Sequence, residues 1–292
     1  MKLYRDFTSQ EEIDREYNPG TVVPDSARWR EWYARESATA RRDLESLLGL
    51  RFGPTRDETV DVFPAPQPGA AILVFIHGGY WRWGSSQDFS FVARGPVGHG
   101  VTAVVTNYSL CPSVTIAEIT RQSRAVIAWL HREAPRFNGD PARIYVAGHS
   151  AGGQQVGMLA ATDWPGEYGL PAEIIRGAVP ISGIFDLHPL RYSYLQPQLQ
   201  LTHEVILRQS PLLNVPASGP PLLVSLGQEE TAEFHRQSVA YLEAWRGNGL
   251  PGELLIQEGK HHLSAIQGLA DPRSPLCLAL VDFIARCQQS HP

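Results

Sequence analysis

Apolar residues gather in short continuous runs: Ala71 to Ile76 (AILVFI), Val101 to Thr106, Arg143 to Ala147, Gly177 to Ile181 and Pro221 to Leu226. Runs of that length without polar alternation suit strands buried on both faces, as in a parallel sheet covered by helices. Helix-length segments lie between them, notably Ile116 to Glu133 and Thr231 to Arg246, and Leu254 to Gln257 and Leu276 to Cys287 read as a last strand and a closing helix. Strand alternating with helix predicts βαβ units with right-handed crossovers around one central, mostly parallel sheet, an α/β architecture with helices on both faces. Val60, Val62 and Phe63 precede a Pro-Gly loop at 64–69, and the proline-rich stretch 211–221 is a loop between elements. The chain has no internal repeat or low-complexity tract.

Residues 1–50 follow a different pattern. Trp29, Trp32, Tyr33 and Ala40 recur at helical spacing with Arg28, Arg30, Arg35 and Arg41 between them, which predicts an amphipathic helix whose arginines form a solvated face. Its aromatic side must cover something. We therefore expect 1–50 to be an amino-terminal helical segment lying as a partial lid over a main domain at 51–292.

Composition removes several classes of function. With 25 Lys plus Arg against 30 Asp plus Glu the formal charge is -5, which offers no broad attraction for nucleic acid or anionic lipid. The first residues lack an apolar core of signal-peptide length, and no later run approaches the roughly 20 apolar residues of a membrane span. The expectation is a soluble cytoplasmic protein with a small-molecule partner; pairing as a homodimer is left open. Three scattered cysteines (Cys111, Cys277, Cys287) suit neither a disulfide framework nor a zinc site.

Candidate chemistry centres on Arg143 to Gly153, RIYVAGHSAGG. A strand that turns into a helix through G-x-S-x-G forces its serine into a strained conformation with the hydroxyl exposed at the carboxyl end of a sheet. Ser150 is the candidate nucleophile. After the strand ending at Ile76 comes HGGYW, and two consecutive glycines there free backbone N–H groups to face a reacting carbonyl. Gly78 and Gly79, with the N–H of Ala151, are the candidate oxyanion hole. His77 would brace that loop, and Tyr80, Trp81 and Trp83 could form an aromatic wall for substrate.

A serine hydroxyl needs a base, and in the fold that carries such a strand-to-helix serine turn the chain order is nucleophile, acid, histidine. That order sets aside His99, His131 and His149 as surface or loop residues, and His188, His203 and His235 as too early. The pair His261 and His262, after the last strand, and the terminal His291 remain; of the pair we take His262. The acid belongs in the loop after Leu222 to Leu226, where Glu229 and Glu230 both stand. One would orient the imidazole, and the other would be solvated. Asp186 and Asp271 read as capping or surface residues. Neither a cofactor nor a metal is required.

HGGYW, the run NYSLCP at 107–112, GHSAGG, SGIFDL at 182–187 and the SPL of 210–212 together resemble the α/β-hydrolase kynurenine formamidases (arylformamidases) and the related carboxylesterases. The similarity runs from about Tyr17 to the end. The resemblance implies an α/β-hydrolase fold, and it places the acid three residues after the glycine that ends its strand, at Glu230, and the histidine at His262. The family usually has aspartate where this chain has glutamate. It further implies hydrolysis of N-formyl-L-kynurenine to L-kynurenine and formate, through an acyl (formyl) enzyme, with a general carboxylesterase or amidase as the alternative.

Overall fold

Alternate side chains of one buried strand serve two different cores. In Ala70–Ile76, residues Ile72, Val74 and Ile76 enter the cluster on one face of the sheet, and Ala71, Leu73 and Phe75 enter the cluster on the other. The period-2 geometry of a strand dictates this split, and it explains why the sequence of such a strand is apolar throughout. The computed structural model describes residues 2–23 and 25–289. Among them, eight strands form one sheet: β1 (Leu47–Arg51), β2 (Thr59–Phe63), β3 (Ala70–Ile76), β4 (Thr102–Thr106), β5 (Gly139–His149), β6 (Ile175–Ile181), β7 (Leu222–Gly227) and β8 (Gly252–Gln257). Their order is β1-β2-β4-β3-β5-β6-β7-β8. β3 to β8 pair in parallel, and β2 is antiparallel to both β1 and β4, so it alone runs against the rest.

Helices Ile116–Glu133, Ala151–Ala160 and Ala232–Gly247 pack on one face, burying Ile119, Val156 and Tyr241 among others. Helix Pro275–Gln289 covers the other face with Leu276, Leu280 and Phe283. The chain before the sheet is divided between the two. Helix Gln10–Tyr17 is closed by a capping box at Ser9 and Glu12 and buries Ile13 and Tyr17 in the first core. Helix Ser26–Asp43 buries Tyr33 in the second. β1 was not legible in the hydrophobic pattern, because its edge position leaves most of its residues exposed. It spans the 50/51 position at which the pattern suggested a boundary. Among the described residues no helix is long and apolar enough to cross a membrane.

The turn from β5 into helix Ala151–Ala160 packs directly against the end of β3. A Cβ on Gly152 would stand 1.9 Å from the carbonyl oxygen of Ile76, a backbone atom that cannot swing away. Forcing volume into a packed core costs about 1–3 kcal/mol, occasionally more. We expect Gly152→Ala to lose about 3 kcal/mol or more, read as a lower urea midpoint; an unchanged midpoint would show that strand and helix can separate at no cost.

Candidate active site

Ser150 sits between β5 and its helix at φ 57, ψ -115, a conformation that L-residues rarely adopt. Its N–H donates to the carbonyl of Ile181 at 2.9 Å, tying the turn to the end of β6. Ala151 is the first residue of the helix, so its N–H has no intrahelical acceptor. The loop after β3 comes close alongside: a Cβ on Gly78 would lie 3.2 Å from Ser150 Cβ and 2.9 Å from His149 Nδ1. Gly79 has φ +115, and a Cβ there would meet the carbonyl oxygen of Trp83 at 2.1 Å. Only glycine fits either position.

Glu230 lies in the turn after β7 with no exposed side-chain surface. Oε2 accepts from His262 Nδ1 at 2.7 Å, while Oε1 accepts from the Gly227 N–H at 2.7 Å and from the Ser182 hydroxyl. Burial alone would favour the neutral acid. The charge of His262 and the hydrogen bonds from His262, Ser182 and Gly227 outweigh it and hold the carboxyl below its usual range. An ionised carboxylate only accepts, so His262 carries its proton on Nδ1 and Nε2 is left as the basic nitrogen. Glu229 is exposed. The His261 ring meets the edge of Trp29, 5.0 Å between centroids, which turns it toward the Ser26–Asp43 helix. His291 lies outside the described residues.

Ser150 and His262 share a cavity of ≈ 500 Å³. Its walls include Asn18 to Gly20, Trp29 and Tyr33 from the amino-terminal segment, and Tyr80, Trp83 and Tyr194 from the loops beyond the strands. Asn18, Pro19 and Gly20, between helices Gln10–Tyr17 and Ser26–Asp43, therefore lie beside Ser150 at the carboxyl edge of the sheet.

A family model described as the alpha/beta hydrolase fold matches residues 73–265, which takes in the serine turn, the glycine loop, Glu230 and His262. The chain belongs to this family. The hydrolase is 28% identical over 291 residues to a kynurenine formamidase of Danio rerio, covering 95% of this chain and 97% of that one. It is 26% identical over 231 residues to esterase LipQ of Mycobacterium tuberculosis, covering 72% of this chain and 55% of that one. A crystal structure from Silicibacter sp. tm1040 superimposes with a TM-score of 0.81 at 28% identity, covering 92% of this chain and 99% of that one.

Two expectations are corrected by the tertiary structure of the hydrolase. Trp81 is absent from the cavity wall: it is fully buried, and its Nε1 donates to Gln154 Oε1 at 3.1 Å on the helix behind Ser150. His149 is neither surface nor loop. It is buried beside His262, with ring centroids 4.7 Å apart, and its Nε2–H donates to the His262 carbonyl at 2.9 Å. Ser182, at the carboxyl end of β6 and at φ 50, is a partner of Glu230 that the sequence reading missed. Its place one residue beyond a buried strand is the signal that could have found it. His77, buried below the glycine loop, donates from Nδ1 to the Gly78 carbonyl at 2.8 Å and stacks on Tyr108.

Burial depresses His149 to about 3, helped by the neighbouring His262, and depresses His77 to about 4. Both are neutral in the folded hydrolase and would take up a proton near pH 6.5 once unfolded. The unfolded chain thus binds more protons between about pH 6.5 and the folded values, and stability falls as pH drops through that window, by up to about 1.4 kcal/mol per unit for each histidine. Urea unfolding should show a clear loss between about pH 6.5 and pH 5.5. A flat profile there would mean that these rings reach water.

Proposed function

We propose that this chain is a serine hydrolase that cleaves a small aryl formamide, best matched by N-formyl-L-kynurenine, to the free arylamine and formate. One observation carries the reaction class: a serine on a strained strand-to-helix turn shares a cavity with a histidine whose Nδ1 is locked by a buried, ionised carboxylate. Ser150 Oγ attacks the formyl carbon while His262 Nε2 takes its proton. The carbonyl π electrons move to oxygen, and the N–H groups of Gly78, Gly79 and Ala151 hold the resulting anion. Collapse breaks the C–N bond as His262 returns the proton to the leaving nitrogen, giving the free amine and a formyl ester on Ser150. Water then attacks that ester as His262 takes its proton; collapse breaks the C–Oγ bond, the proton passes from His262 to Ser150 Oγ, and formate leaves. Glu230 remains ionised throughout and offsets the imidazolium charge as it forms.

Similarity to the Danio rerio formamidase along almost the whole chain supports the formamide over other acyl groups. Tyr80 and Trp83 offer aromatic surface for the aryl ring. The similarity to esterase LipQ supports a second reading, a general carboxylesterase or amidase working through the same residues. Fold alone does not choose between them.

Steady-state hydrolysis of N-formyl-L-kynurenine beside p-nitrophenyl acetate separates the two. The formamidase reading expects kcat/KM of about 10⁴ M⁻¹s⁻¹ or more on the formamide. Ser150→Ala and His262→Ala should each lower it by about 10³-fold or more. Ester cleavage alone would leave the serine mechanism standing and favour the esterase. Labelling of Ser150→Ala by a fluorophosphonate probe as strong as that of the wild type would remove the serine mechanism itself.

A further inference from the structure

The charges lining the cavity do not follow the charge of the chain. Sequence-wide the balance is -5, yet no carboxylate is among the cavity's described lining residues, whereas two arginines, Arg30 and Arg82, are. They arrive from separate segments, Arg30 from the Ser26–Asp43 helix and Arg82 from the loop after β3, where its N–H closes a turn on the Gly79 carbonyl at 3.1 Å. Among the described residues neither guanidinium forms an ion pair with a carboxylate. Arg82 is instead half-buried, donating from Nη1 to the neutral Gln198 Oε1 and standing 5.6 Å over the Tyr194 ring. Arg30 stands 5.3 Å over Trp83.

A neutral acceptor and an aromatic face hold a guanidinium in place without cancelling its charge. Five N–H donors per arginine exceed what such partners use, and their planar fork matches a carboxylate. We propose that Arg30 and Arg82 are specificity-determining residues of this cavity, together forming an anion-reading subsite for a carboxylate carried by the substrate of Ser150. The inference rests on acyl transfer at Ser150 and deepens that reading by assigning the residues that read the charge of the substrate. It does not require the acyl group to be formyl.

The test therefore uses acetate esters: phenyl acetate, which is neutral, and 3-acetoxybenzoate, which carries the carboxylate. Wild type should prefer the charged ester in kcat/KM by about tenfold or more, with the difference mainly in KM. About 0.5 M NaCl should raise KM for the charged ester selectively, since exposed charge pairs are screened. The double variant Arg30→Gln, Arg82→Gln should bring the ratio of the two esters to about one, and Arg30→Lys, Arg82→Lys should restore part of it. The ratio cancels any general loss of activity, and the wild-type salt response needs no variant. A wild-type ratio within twofold of one, or a ratio unchanged in the glutamine double variant, would overturn the subsite. If N-formyl-L-kynurenine is not cleaved but the ester ratio and its salt response hold, the formamidase reading fails and the anion subsite stands.

Discussion

A carboxylate with no exposed surface keeps its charge only where donors converge on it, because burial otherwise favours the neutral acid. Glu230 meets that condition with donors from three places in the chain: the Gly227 N–H at the end of β7, the Ser182 hydroxyl just beyond β6, and His262 Nδ1 in the loop after β8. These three strands are neighbours in the sheet, so the one buried charge ties together their carboxyl ends. Its ionisation also fixes the tautomer of His262 and so leaves Nε2 basic. Loss of the carboxyl group would at once leave the Ser182 hydroxyl and the Gly227 N–H without their acceptor and free the imidazole to turn.

The amino-terminal segment is fastened to the same loops. Glu16 accepts the Glu233 N–H on its side chain and the Thr231 hydroxyl on its carbonyl, directly after Glu230. Tyr17 donates to Glu233 and accepts from Gln237, and its carbonyl accepts from Tyr80 beside the glycine loop. In the next long helix, the Tyr33 hydroxyl donates to the Leu263 carbonyl, next to His262. The two flanking helices are thus anchored on residues adjoining Glu230, Gly79 and His262, and Asn18, Pro19 and Gly20 between them line the cavity. Changes within this segment would be felt at the site through backbone hydrogen bonds as well as through shape.

Much of the site was legible because its signals are local. A strand that becomes a helix through G-x-S-x-G constrains only a few residues, and the order of serine, acid and histidine follows from which strand each loop leaves. Glu229 and Glu230, or His261 and His262, are harder, since adjacent loop residues have identical propensities. The separation comes from packing: Trp29 engages His261, and Glu229 faces water while Glu230 is enclosed. Trp81 and Trp83 illustrate the same limit. Tyr80 and Trp81 both have positive φ, and that reversal sends one indole into the core against Gln154 and the other to the cavity.

By itself the sequence determined the alternation of strand and helix, the sheet class and the short list of chemical groups. Each depends on residues near one another in the chain, through side-chain period, backbone sterics and strand-end position. Only the tertiary structure decided that His149 lies buried under His262, that Ser182 supports Glu230, and that two arginines from separate segments line a cavity with no carboxylate among its described lining residues. Those facts depend on pairs separated by 113, 48 and 52 positions. Whether such pairs meet is set by how helices close over the sheet, which no local pattern encodes.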